Sequence, residues 1–208
     1  MKKIPIAKLE AKVGGLSKPS KMPGYAYGLP TSACITGSVL QSIDGSVCSK
    51  CYACKGRYVF PNVQKAQRAR LENVLTSAEW EASMVALIHA RAIEYFRWHD
   101  SGDIQSVAHL EKIVNIATKC PDTKFWLPTR EQQMVREFLV SGKPIPPNLV
   151  IRVSGQMIDG PPPSGFPNTS TVVTHVHQTC RAPDTDNKCA DCRQCWDGNV
   201  RNVSYRQH

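Results

Sequence analysis

Four cysteines near the end of the chain have the residue type and spacing for inorganic chemistry: Cys180, then Cys189, Cys192 and Cys195 in the run KCADCRQCWD. Two residues separate each neighbouring pair among the last three. A loop with that spacing curls round one compact core and presents three sulfurs to it, with Cys180 as the natural fourth ligand. An all-thiolate set suits a [4Fe-4S] cluster or a zinc ion. Three cysteines at successive two-residue gaps fit a cubane better than a zinc knuckle, which needs one pair here and a second pair elsewhere. Four free surface thiols would be open to oxidation.

A second group lies far upstream: Cys34, Cys48 and Cys51, with Cys54 as a further candidate. Three ligands in one loop would leave one iron open to a substrate or small co-substrate. Cys54 would instead close the set. In a third arrangement an N-terminal cysteine enters the C-terminal cluster, and Cys48 and Cys51 paired with Cys192 and Cys195 also spell a zinc ribbon. The residues alone leave these alternatives open. Cys120 differs from all of them. It ends an amphipathic helix and reads as an ordinary packed cysteine.

These donors need a scaffold. Residues 1–23 are basic, rich in Gly, Pro and Ser, and without evident period, so they are expected to form an arm on a single α/β iron–sulfur domain, 24–208. Strands are expected at Tyr25–Leu29, Tyr95–Trp98, Lys124–Leu127, Leu149–Val153 and Thr171–Val176. Helical spacing begins at Pro61, resumes after a Thr76/Glu79 capping box, again near Ser106, and again after a Thr129/Gln132 capping box. Strand–helix alternation argues for a partial parallel sheet, half-barrel-like, with cysteine-rich metal-binding loops near both ends.

Functional groups in such sheets collect beyond the carboxyl ends of the strands. Here those ends carry Arg97, His99, Asp100 and Asp103, then Thr129, Arg130 and Glu131, then Arg152. His99, Asp100, Asp103 and Arg130 are the candidate catalytic set: an imidazole to move a proton, carboxylates to orient it, a guanidinium to hold an anion. The competing reading is a network that ties loops to the sheet, with Asp100 or Asp103 capping the next helix. His175 and His177 would share one strand face just before Cys180.

The composition sets limits. With 208 residues, 41% of them hydrophobic, the chain has enough for one core. Nothing at its start reads as a secretory leader and no apolar run is long enough to span a bilayer, so a reducing cytoplasm and no membrane are expected. In that compartment nine clustered cysteines point to metal. The net charge of +9 raises nucleic acid as a partner. Two thiolate-bound clusters would cancel much of it, and the lysines are dispersed.

The strings SKMPGYAYGLPTSACITGS, GSVCSKCYACKGRY, FRWHDSGDIQS, FWLPTRE and NKCADCRQCW together resemble the phage "gene product 88"-like proteins, from about Ser17 to Trp196. That family is chiefly viral and carries no settled activity. The resemblance implies a phage-encoded protein acting in the cytoplasm of an infected bacterium. It also implies that the family cysteines match Cys34, Cys48, Cys51, Cys180, Cys189, Cys192 and Cys195, with Cys54 outside the set. More loosely, a cysteine loop after a first strand looks like a radical-SAM half barrel. The spacing departs from that pattern: C-x13-C-x2-C stands where those enzymes carry C-x3-C-x2-C, and no glycine-rich segment suits a nucleoside co-substrate.

Two functions follow as expectations. One is an iron–sulfur protein holding one or two [4Fe-4S] clusters, with redox or radical-type chemistry on an unknown small-molecule or macromolecular substrate at the rim. The other is a non-enzymatic zinc- or cluster-stabilised module whose Lys55, Arg57, Tyr58 and Arg70 face a host protein or nucleic acid.

Overall fold

The computed structural model describes residues 4–174 and 178–207. Six strands form one sheet in the order β1-β2-β3-β4-β5-β6, and every neighbouring pair is parallel. They are β1 (Tyr25–Tyr27), β2 (Tyr95–Trp98), β3 (Lys124–Thr129), β4 (Leu149–Ile158), β5 (Thr169–Val173) and β6 (Asn202–Arg206). Helices α1 (Ile6–Val13), α2 (Ile35–Leu40), α3 (Pro61–Thr76), α4 (Trp80–Ala90), α5 (Val107–Lys119) and α6 (Gln132–Val140) all precede β4. The α/β half-barrel-like expectation therefore holds, with a sixth strand added. No described helix is long and apolar enough to cross a membrane.

Alternation along the strands sends side chains to two unlike faces. Phe96, Trp98, Phe125, Leu127, Leu149, Ile151 and Val153 join the main core with α4, α5 and α6. Trp126, Val203 and Tyr205 belong to a second, smaller cluster with Cys195 and Trp196. The Trp126 and Tyr205 rings lie 6.5 Å apart although β4 and β5 separate their strands. The sheet is thus curled into a trough, with helices outside and the C-terminal loop inside.

Several local expectations are corrected. Segment 1–23 is more than a draped arm: α1 buries Leu9 and Val13 in the main core, and Glu10 pairs with Arg91 at 2.6 Å. Its Ile6–Leu9–Val13 spacing is helical, a signal masked by the surrounding lysines. Neither capping box forms. The Thr76 hydroxyl bonds back to the Glu72 carbonyl and Glu79 pairs with Lys12. Thr129 Oγ1 accepts from the Glu131 amide at 3.1 Å rather than from Gln132, and donates to the Asp103 carboxylate at 2.6 Å. Asp100 and Asp103 do not cap α5 either, since the Ser106 hydroxyl accepts from the His109 amide there. His175 and His177 lie outside the described residues.

Candidate metal centre

The first cysteine loop follows β1 and is fixed at two points in its first half. Its Gly45–Val47 stretch pairs with the end of β4: Val47 N donates to Gln156 O, and Ile158 N donates to Gly45 O, each at 2.9 Å. A register shift between Ser154 and Ile158 turns β4 toward this contact. At the other point the Glu131 carboxylate accepts from the Thr36 amide at 2.9 Å and the Thr36 hydroxyl at 2.7 Å. Cys34, just before the Thr36 anchor, and Cys48, just after Val47, come together over Gly37. A Cβ there would sit 2.9 Å from Cys34 Cβ and 3.7 Å from Cys48 Sγ, so only glycine leaves the two sulfurs room.

Cys48, Cys51 and Cys54 line an open pocket of about 490 Å³ together with Gln41, Ser49, Lys50 and Lys55. Gln41 Nε2 donates to Cys54 Sγ at 3.2 Å. Cys54, outside the set implied by the family resemblance, therefore shares this pocket with Cys48 and Cys51.

The C-terminal loop is held from beneath. Arg152, on the trough face of β4, is fully buried and donates to the carbonyls of Thr169, Gln194, Asp197 and Val200 at 2.9–3.1 Å, and to that of Cys195 at 3.5 Å. Arg152, named above among the polar residues at the strand ends, spends its donors on carbonyls of the cysteine loop and of β5. Trp196 Nε1 donates to Phe96 O, and its ring packs on Trp126 at 5.1 Å and on Tyr95 at 5.6 Å. Cys195 Sγ lies 3.2 Å from the Tyr205 hydroxyl. The Cys189 amide donates to Lys21 O, and the Cys180 amide to Ser204 O.

All nine cysteines are free thiols. Burial pushes Cys34 up to about 12, and the charges that add to this are Asp103, Cys51, Cys48 and Glu131. Burial also raises Cys48 and Cys51, with Cys54 among the groups that add to each. In the C-terminal group burial raises Cys180, Cys189 and Cys195, the last to about 12. Their sulfur neighbours there are Cys180 and Cys192. For the thiols raised in this way, the neighbouring sulfurs come from the same cysteine run. Among the described residues no three His, Cys, Asp or Glu side chains already stand as an ion-holding set.

The rim residues divide. The Asp103 carboxylate accepts from Thr129 Oγ1, Arg130 N and Ile104 N at 2.6–2.8 Å and ties the loop after β2 to the end of β3. Burial lifts its pKa to about 6 against those three donors. Arg130 contributes its backbone amide to this network and its guanidinium to the field around Cys48. Asp100 accepts at its carbonyl from Tyr52 at 2.5 Å and at Oδ2 from Tyr58 at 3.3 Å, while Oδ1 is buried without a partner.

His99 is 3% exposed, and neither ring nitrogen has a partner. Its backbone is left-handed at φ 55°, which turns the chain out of β2. Burial holds its pKa well below 6.5, and that of His109, 5.4 Å away ring to ring, at about 3. Both imidazoles are neutral at pH 7. Arg70 is corrected as a contact residue. It is buried and donates to Gly14 O, Gly15 O, Ser17 Oγ and Gly28 O.

Sequence reasoning passed over Glu131 as the anchor of the first loop, and Tyr205 and β6 altogether. For β6 a signal existed in the alternation of Val203 and Tyr205 within NVSYR. For Glu131 none did, because its partner Thr36 lies 95 residues away.

This architecture defines an α/β trough protein with one cysteine group on its rim and one inside it. The chain belongs to the gene product 88 family, whose model matches residues 5–198. No curated protein and no solved structure matches it.

Proposed function

We propose that this is a phage-encoded iron–sulfur protein of the infected cell's cytoplasm, with a [4Fe-4S] cluster in each cysteine group and redox or radical-type chemistry at the rim pocket. One observation supports the reading: thiols of the same run lie near enough to act on one another's ionisation, in a first run whose ends, Cys34 and Cys54, are 20 positions apart and a second whose ends, Cys180 and Cys195, are 15 apart. Thiols this crowded repel one another once ionised. A multivalent cation relieves that repulsion, and its binding free energy then adds to folding. Iron is favoured over zinc by the repeated C-x2-C-x2-C spacing, which Cys54 extends to the first group.

The two groups have different parts in this reading. The C-terminal one, pinned inside the trough, is a closed electron-storing centre. The rim group borders the pocket, with Lys50 and Lys55 beside it, and meets the substrate. His99, neutral and buried, accepts no proton near pH 7, so Asp100, Asp103 and Arg130 are the candidate residues that remain for acid–base or anion-binding work. The cysteine loop after β1 and the strictly sequential parallel sheet favour radical-type chemistry over simple electron carriage, by analogy of fold.

Iron and acid-labile sulfide analysis of anaerobically purified protein tests the proposal. Two cubanes require about eight of each per chain. Stoichiometric zinc without sulfide would instead support a zinc-stabilised binding module, and a metal-free folded protein would remove both. Anaerobic reduction with and without S-adenosylmethionine then separates radical from simple redox chemistry.

A further inference from the structure

Arg97 lies between the two cysteine groups and touches structures that belong to each. It projects from β2 into the trough, where its guanidinium stacks over the Trp126 ring at 4.4 Å. Toward the rim, Nη2 donates to the Tyr52 hydroxyl at 3.1 Å, and Tyr52 stands between Cys51 and Ala53 in the first cysteine loop. Toward the trough, Trp126 packs on Trp196 and Tyr205, which follow and touch Cys195. Among the described residues Arg97 has no carboxylate within ion-pair distance, and its Nε is buried without a partner. A half-buried guanidinium without an ion pair is costly unless negative charge elsewhere offsets it.

We propose that Arg97 is the positioning residue that couples the two centres: a shared counter-cation that sets the reduction potential of both. This rests on the reading of the cysteine groups as iron–sulfur centres. Adding an electron to a cluster adds one negative charge, and a fixed cation nearby favours the reduced state. Because the same cation serves both groups, the effect reaches two potentials through one side chain. The Tyr52 bond holds it toward the rim and the Trp126 ring holds it in the trough.

An EPR-monitored redox titration of the holoprotein tests this, with Cys48→Ala and Cys192→Ala assigning the two signals. Arg97→Gln is expected to lower both midpoints by roughly tenfold in the reduction equilibrium, about 59 mV for a one-electron couple. Arg97→Lys keeps the charge and is expected to restore most of the shift. Tyr52→Phe removes only the rim anchor and is expected to lower the midpoint of the rim centre while sparing the other. Unchanged midpoints in Arg97→Gln at full iron and sulfide content overturn the inference. If Arg97→Gln does not load, an unchanged rim midpoint in Tyr52→Phe overturns it instead. Wild-type protein without iron and sulfide fails the underlying reading, a result seen before any titration begins.

Discussion

The two cysteine groups are built by opposite means. The C-terminal loop is bolted to the sheet through a fully buried Arg152 whose hydrogen bonds go to backbone carbonyls, and it is roofed by Trp196. The rim loop is held in its first half, by Glu131 on Thr36 and by a short pairing of Gly45–Val47 with β4, and a pocket opens along the stretch beyond, from Cys48 to Lys55. Main-chain contacts to a buried cation fix a loop's path whatever its side chains are. Anchors confined to one half of a loop leave the other half accessible. The difference teaches that a protein can hold similar donor sets while making one rigid and the other reachable.

The sharpest way to break this comparison is Arg152→Ala. Up to five carbonyls lose their partner, and the expected loss of stability is about 4 kcal/mol or more, read by urea unfolding. Thiol labelling of the metal-free protein should accelerate at the C-terminal cysteines first. Equal acceleration in both groups would mean that the rim loop depends on the same support.

Acid comes next. His99 and His109 have folded pKa values depressed by burial, so the unfolded chain binds their protons more tightly. Stability is full above the unfolded value near 6.5. It falls below it by about 1.4 kcal/mol per pH unit per imidazole, for His109 until about pH 3. Asp103 acts in the reverse sense. Its folded pKa is raised to about 6, so between about 6 and its ordinary 3.8 it gains stability as pH falls. The two imidazoles outweigh it, and thermal melts at pH 7, 6 and 5 should show a net decline. A flat profile would mean that the imidazoles are charged in the folded state.

Glu131→Gln tests the rim anchor alone. It keeps one acceptor for Thr36 and loses the charge, for about 1–2 kcal/mol. Labelling of Cys48 and Cys54 should speed up while Cys195 stays protected, the mirror image of the Arg152 result. The smallest effect is expected of Cys120→Ala. Cys120 is buried at the end of α5, away from both groups, so the change should cost about 1 kcal/mol and leave metal content untouched.

Much of the frame was legible in the residues. The apolar runs around Phe96, Phe125 and Ile151 mark strands because a sheet covered on both faces leaves few polar positions. Ser106 marks a helix start because its hydroxyl satisfies a free amide. The α1 helix was obscured because basic composition spoke louder than a three-residue apolar stripe. The roles of Arg70 and Arg152 were illegible because an arginine's donors take whatever carbonyls the fold delivers, and those come from distant segments.

Local spacing by itself therefore determined the strand–helix alternation and the positions of the two cysteine runs, while the choice among their groupings stayed open. Those are properties of neighbours along the chain. Only the tertiary structure decided that Cys54 shares a pocket with Cys48 and Cys51, that Arg152 lies beneath one loop while Arg97 lies between two, and that His99 is sealed in the core. Burial and long-range hydrogen bonding set the charge and reach of a polar side chain, and neither quantity exists until the sheet has curled.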